Sequence, residues 1–201
     1  MKKHLILVFL LSSLISISSA QEDVIAGKKN IPLVLSFFKH NASLPFEGII
    51  KSPLHPGVSA GTEFTYKTGK IGKIFQTINI GYFYNKFNAK ALFLCSEFGY
   101  RKTMQLGLFG DLFIGLGYIH SFHPKEIYAL NAHGEYEKAK DKGKSAYLIS
   151  AAIGLGYDFS KKAGWPFSVF IKYQYALQGP HNLDSPLWPN AMLHFGVRII
   201  F

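Results

Sequence analysis

Seven charged residues of this chain could do chemistry together: Glu63, Glu97, Asp111, Asp158, Arg101, Lys172 and Arg198. Each lies in a segment where polar and apolar residues alternate, and each falls on the polar parity, among glycines and serines. Carboxylates gathered on such a face could form an acid–base pair or line a gated ion path. The plainer chemistry is mutual neutralisation in a salt-bridged plug, because a charge taken out of water is tolerated only when paired. The carboxylates outnumber the bases in this set, so some acids are expected to be protonated or hydrated. Histidine forms a second group. Apart from His4, the histidines are His40, His55, His120, His123, His133, His181 and His194, all assigned to one half of the structure and its loops. Histidine is a common metal ligand and general base, but no pair here has the spacing of a zinc site. A third group is His181, Asp184 and Ser185 in one loop, with His194 just beyond. A nucleophile needs a base within hydrogen-bond reach, and these residues allow that. The single cysteine, Cys95, can form no internal disulfide and gives no metal-binding spacing. These readings assign no catalytic, cofactor-binding or metal residue.

The elements that must position these groups are strands. Period-two alternation marks eight segments, at about 33–39, 57–67, 73–85, 89–101, 105–120, 145–159, 165–178 and 191–201. In the last, Ala191, Leu193, Phe195, Val197, Ile199 and Phe201 share one parity, and His194, Gly196 and Arg198 the other. The polar faces are rich in glycine, which weakens a solvent-facing strand but suits a narrow interior holding Phe109 and Phe113. The apolar faces are therefore expected to point outward, into lipid. Tyrosines on the apolar parity mark the strand ends: Tyr66, Tyr100 and Tyr157 at one level, and Tyr82, Tyr84, Tyr118, Tyr147 and Tyr175 at the other. Two such girdles are expected at the two membrane–water boundaries. Short connections near 68–70, 102–104 and 161–164 alternate with longer ones at 40–56, 121–144 and 179–190, the exception being 86–88. This places the short turns in the periplasm and the long loops outside.

Residues 1–20 read as a secretory signal peptide: Lys2 and Lys3, an apolar run from Leu5 to Ile17, then Ser18-Ser19-Ala20 before the cleavage site. Residues 21–201 form one domain. Loss of the leader lowers the formal net charge from +10 to +8. For an exported chain this balance suits phosphorylated lipopolysaccharide rather than nucleic acid. The expected class is all-β: an eight-stranded antiparallel up-and-down transmembrane β-barrel of the cell outer membrane.

The alternating C-terminal strand ending in Phe201 resembles the signature recognised by barrel assembly machinery. The whole mature chain resembles the small eight-stranded outer-membrane barrel families. Leu44-Pro45-Phe46, His55-Pro56-Gly57 and Gly61-Thr62-Glu63-Phe64 resemble segments of an uncharacterised set of exported barrels. The resemblance implies outer-membrane lipid and lipopolysaccharide, the assembly machinery and an extracellular protein as partners. It also implies a structural or surface-interaction role through the outer loops, with residues 121–144 as the loop presented. Some small barrels that this chain resembles hydrolyse lipid acyl chains, with a histidine and a serine two apart on a strand. His181 and Ser185 are four apart, in a loop broken by Pro180, Pro186 and Pro189. Acyl hydrolysis at the outer rim is the alternative expectation, and a narrow ion or solute channel the third.

Overall fold

The structure is a computed structural model that describes residues 31–48, 51–69, 72–104, 106–131, 134–160, 164–180 and 186–201. The expected signal peptide lies outside the described residues. Ten strands are described: β1 (Leu33–Asn41), β2 (Pro56–Thr68), β3 (Lys73–Tyr84), β4 (Lys90–Thr103), β5 (Leu108–Phe122), β6 (Ile127–Leu130), β7 (Tyr136–Ala139), β8 (Lys144–Asp158), β9 (Phe167–Gly179) and β10 (Trp188–Ile199). The eight long strands close into an antiparallel barrel in which chain neighbours pair. β5 pairs with β8 from Leu108↔Tyr157 to Ser121↔Lys144. Closure is made by β1 against β10, from Leu33↔Ile199 to Asn41↔Ala191.

The eight-segment reading holds for the barrel, with three differences. The connection expected to be a plain loop, 121–144, contains the hairpin β6–β7, in which Tyr128 opposes Lys138 and Leu130 opposes Tyr136. The last strand starts earlier than residue 191, with Trp188 opposite Gln178 and Pro189 opposite Leu177. There β10 has β9 on one side only, since its pairing with β1 stops at Ala191, and proline is tolerated at such an edge. The strand also ends before Phe201, which lies beyond the last ladder pair and is exposed. In β2 the register shifts between Thr65 and Lys67, so Tyr66 is the inserted residue of a bulge.

Burial is inverted relative to a water-soluble sheet. Ile114 and Leu116 are 67% and 60% exposed, whereas Glu63 and Glu97 are 3% and 1% exposed. Leu92, Leu94, Leu112, Ile149, Ile153 and Phe195 continue the exposed apolar surface around the barrel. A soluble monomer does not carry such a continuous belt. Hydrocarbon is the solvent that suits it, and a closed barrel leaves no unpaired backbone facing that solvent. The tyrosine girdles are seen in the register, with Tyr118 directly opposite Tyr147 at one level and Tyr157 opposite Leu108 at the other.

The interior is filled by large side chains set against small ones. A Cβ on Gly156 would sit 2.2 Å from Phe109 Cζ, and one on Gly57 2.3 Å from Phe38. Glycine is required at both positions because the facing ring occupies the space, as expected for a barrel only wide enough for side chains.

Candidate functional site

Near the short-turn end, β2, β4, β5 and β10 converge their charges. Arg101 donates to both oxygens of Asp111, each at 2.7 Å, and to both oxygens of Glu63 at 3.3 and 3.1 Å. Its guanidinium lies between two rings, 4.5 Å from the centroid of Phe75 and 4.6 Å from that of Phe109. That combines bidentate pairing with cation–π contact. Arg198 is held less completely. Its Nη1 donates to Ser168 Oγ at 3.2 Å, and its Nη2 is 4.0 Å from Asp111. Its Nε lies 3.1 Å from Glu63 Oε2 but is not aligned for a hydrogen bond. Lys73 also reaches Glu63, at 2.5 Å. Deeper along the barrel, Lys172 donates to Glu97 Oε2 at 2.8 Å, and Asn79 and Thr77 donate to the same oxygen at 3.2 Å. Glu97 Oε1 is buried without a partner among the described residues. Beside this group lies a cavity of about 30 Å³, room for one water.

One expectation is corrected here. Asp158 Oδ1 accepts from the backbone N–H and the hydroxyl of Ser160, at 3.0 and 2.7 Å, capping the turn that follows β8, and its charge also acts on Arg198. With Lys73 joining the set through Glu63, the carboxylates no longer outnumber the bases. Lys73 shares parity with Phe75 and Thr77 and was legible by that criterion.

The long-loop half is built differently. Ser36 Oγ lies 3.0 Å from His194 Nδ1 and 2.7 Å from Ser59 Oγ, while His194 Nε2 meets Gln174 Oε1 at 3.1 Å. Beyond them Phe38, Phe83, Phe93, Ile119, Leu148 and Met192 form an apolar layer. His40 stacks on Phe83 at 3.9 Å, with its ring nitrogens engaged by Asn190 at 2.9 Å and Asn85 at 3.2 Å. Above this layer opens a vestibule of about 440 Å³, floored by His40, Gln178 and Asn190 and bordered by Phe87, Phe122 and Trp188.

The proposed nucleophile loop, with His181, Asp184 and Ser185, lies outside the described residues. His194 faces the interior, partnered by Ser36 and Gln174. A different serine–histidine contact occurs on the lipid-facing rim. Ser145 Oγ is 3.0 Å from His120 Nδ1 and 2.7 Å from the hydroxyl of Tyr118. Sequence spacing could not reveal this pair, because it depends on the β5–β8 register across the inserted hairpin. His123 contributes its backbone N–H to Asp141 at 2.6 Å. Among the described residues no group of three or more His, Cys, Asp or Glu is placed to hold a metal ion.

Neither a family model nor a curated protein matches the sequence. Solved structures match in fold. Neisserial surface protein A aligns over 85% of this chain and 96% of its own, with a TM-score of 0.53 at 14% identity. Ail, the attachment invasion locus protein of Yersinia pestis, aligns over 86% of this chain and 97% of its own, with a TM-score of 0.51 at 10% identity. At these identities the likeness is one of fold. The chain is thus a small eight-stranded transmembrane β-barrel of the outer-membrane type. Its apolar belt lies in the bilayer, with the short turns at one end and the long loops at the other.

Proposed function

We propose that this barrel is a surface-interaction module that presents the β6–β7 hairpin to an extracellular protein. One observation carries the reading: Tyr128, Leu130 and Tyr136 share a face of the hairpin and are 59%, 61% and 75% exposed. Tyrosine at the centre of a rigid patch is a frequent anchor of protein contacts. The hairpin is pinned in shape by the Glu126–Lys138 ion pair and by Asn131 donating to Glu137 at 3.0 Å. Ile127, of opposite parity, lines the vestibule, which leaves the tyrosine face for a partner. The test is binding of cells to immobilised matrix or host-surface protein. Tyr128→Ala with Tyr136→Ala should weaken binding by roughly tenfold or more, with an unchanged heat-modifiability shift on gels. Undiminished binding would remove the proposal.

The Ser145–His120 contact favours a second reading, acyl hydrolysis of outer-leaflet lipid. Ser145 Oγ would attack an ester carbonyl while His120 Nδ1 takes the hydroxyl proton and returns it to the departing alcohol. Water would then cleave the acyl-serine. Mass spectra of lipid A and phospholipid from cells carrying the native chain or Ser145→Ala decide it, and identical acyl patterns would eliminate it. The channel reading has less support. The apolar layer and the charge plug fill the interior in succession, so planar bilayers are expected to stay silent.

A further inference from the structure

We infer that the outer vestibule binds an acidic saccharide of one or two rings. Its volume of about 440 Å³ suits a small-molecule site. Phe87 and Trp188 offer aromatic surface to the apolar face of a sugar ring. The lining also includes Asn88 and Ser121, whose amide and hydroxyl can donate and accept, as sugar hydroxyls require; Gln178 and Asn190 already bond to Ser121 and to His40 and Trp188. A fatty acyl chain would use the aromatic walls but not the polar side chains of the lining. At the border stand Lys142 and Lys144 against one carboxylate, Asp141. Both Asp141 oxygens already accept backbone N–H groups, from Gly143 at 2.8 Å and His123 at 2.6 Å. The excess positive charge complements a ligand carboxylate.

Behind Phe87, His55 is 5% exposed, and neither of its ring nitrogens has a partner among the described residues. Its ring stands edge-on to Phe87 at 5.6 Å, and its carbonyl accepts from the His40 backbone N–H at 2.8 Å. A buried imidazole without partners is costly. The apolar layer beneath makes this a binding site and not a passage. The sugar could come from neighbouring lipopolysaccharide or from a soluble glycan.

The chain has two tryptophans. Trp165 packs on Phe159 and Phe167 near the short-turn end of the barrel, so Trp165→Phe leaves Trp188 as the sole reporter. In phospholipid nanodiscs this full-length variant is titrated with glucuronate, glucose and octanoate, followed by tryptophan emission and saturation-transfer NMR. Glucuronate should bind saturably, and glucose roughly tenfold more weakly or worse. Lys142→Glu with Lys144→Glu should weaken glucuronate by a similar factor in a barrel that still shows its heat-modifiability shift. Absence of glucuronate binding by both methods overturns the inference. So does equal affinity for glucose, or a response to octanoate alone. Competition by lipopolysaccharide added to the disc assigns the sugar to the neighbouring lipid, and undisturbed titration assigns it to a soluble glycan.

Discussion

The two halves of the barrel interior solve the same packing problem with different chemistry. The short-turn half is ionic: Arg101 and Arg198 share Glu63 and Asp111 between the rings of Phe75 and Phe109. The outer half is neutral: imidazoles, amides and hydroxyls pair below and above a layer of phenylalanine and aliphatic side chains. A buried ion network tolerates little loss, because removing one member strands the others in low dielectric. A neutral network loses one hydrogen bond at a time. The ionic half is therefore suited to fixing the barrel, and the neutral half to carrying an opening where a ligand exchanges with water.

The largest expected effect tests that contrast directly. Arg101→Ala leaves Glu63 and Asp111 without their main partner, and should cost about 3–5 kcal/mol in reversible urea unfolding. A cost below that of any single neutral-half substitution would break the comparison. Phe38→Ala, in the apolar layer, should cost about 3 kcal/mol by the same measurement. Arg198→Ala should also destabilise, by about 1–3 kcal/mol, less than Arg101→Ala because Arg198 has one aligned hydrogen bond, to Ser168. Equal losses for the two arginines would show that the observed asymmetry in pairing carries no energy.

The smallest effect is local and lies at the vestibule border. The Gly143 backbone N–H, followed by that of His123, holds the Asp141 carboxyl below its ordinary value of 3.8. A depressed folded value means that the carboxylate supports its loop above the unfolded pKa. That support is lost as the pH falls through the lower, folded value. Amide exchange at Gly143 should accordingly accelerate only below about pH 4, with the barrel strands unaffected. Asp141→Asn should remove that acid dependence.

How much was legible follows from what each signal measures. Strand parity is a local property, so the placement of Glu63, Glu97, Asp111, Lys172 and Arg198 inside could be read directly, and Lys73 by the same rule. Asp158 has the right parity and its charge acts on Arg198, but at the strand end its hydrogen bonds go to Ser160. The hairpin β6–β7 was hidden because a short, solvated two-stranded element has no buried face to impose alternation. The pairing of Ser145 with His120 and the grouping of His40, Asn85 and Asn190 depend on register and closure between distant segments.

The sequence by itself determined the number of barrel strands and which face meets lipid, because alternation, glycine placement and tyrosine position answer to the bilayer residue by residue. Only the tertiary structure decided which charges neutralise one another, that the interior closes beneath the outer mouth, and that a vestibule remains above it. Those outcomes depend on side chains from strands far apart in the chain meeting across a closed ring, and no local pattern records that distance.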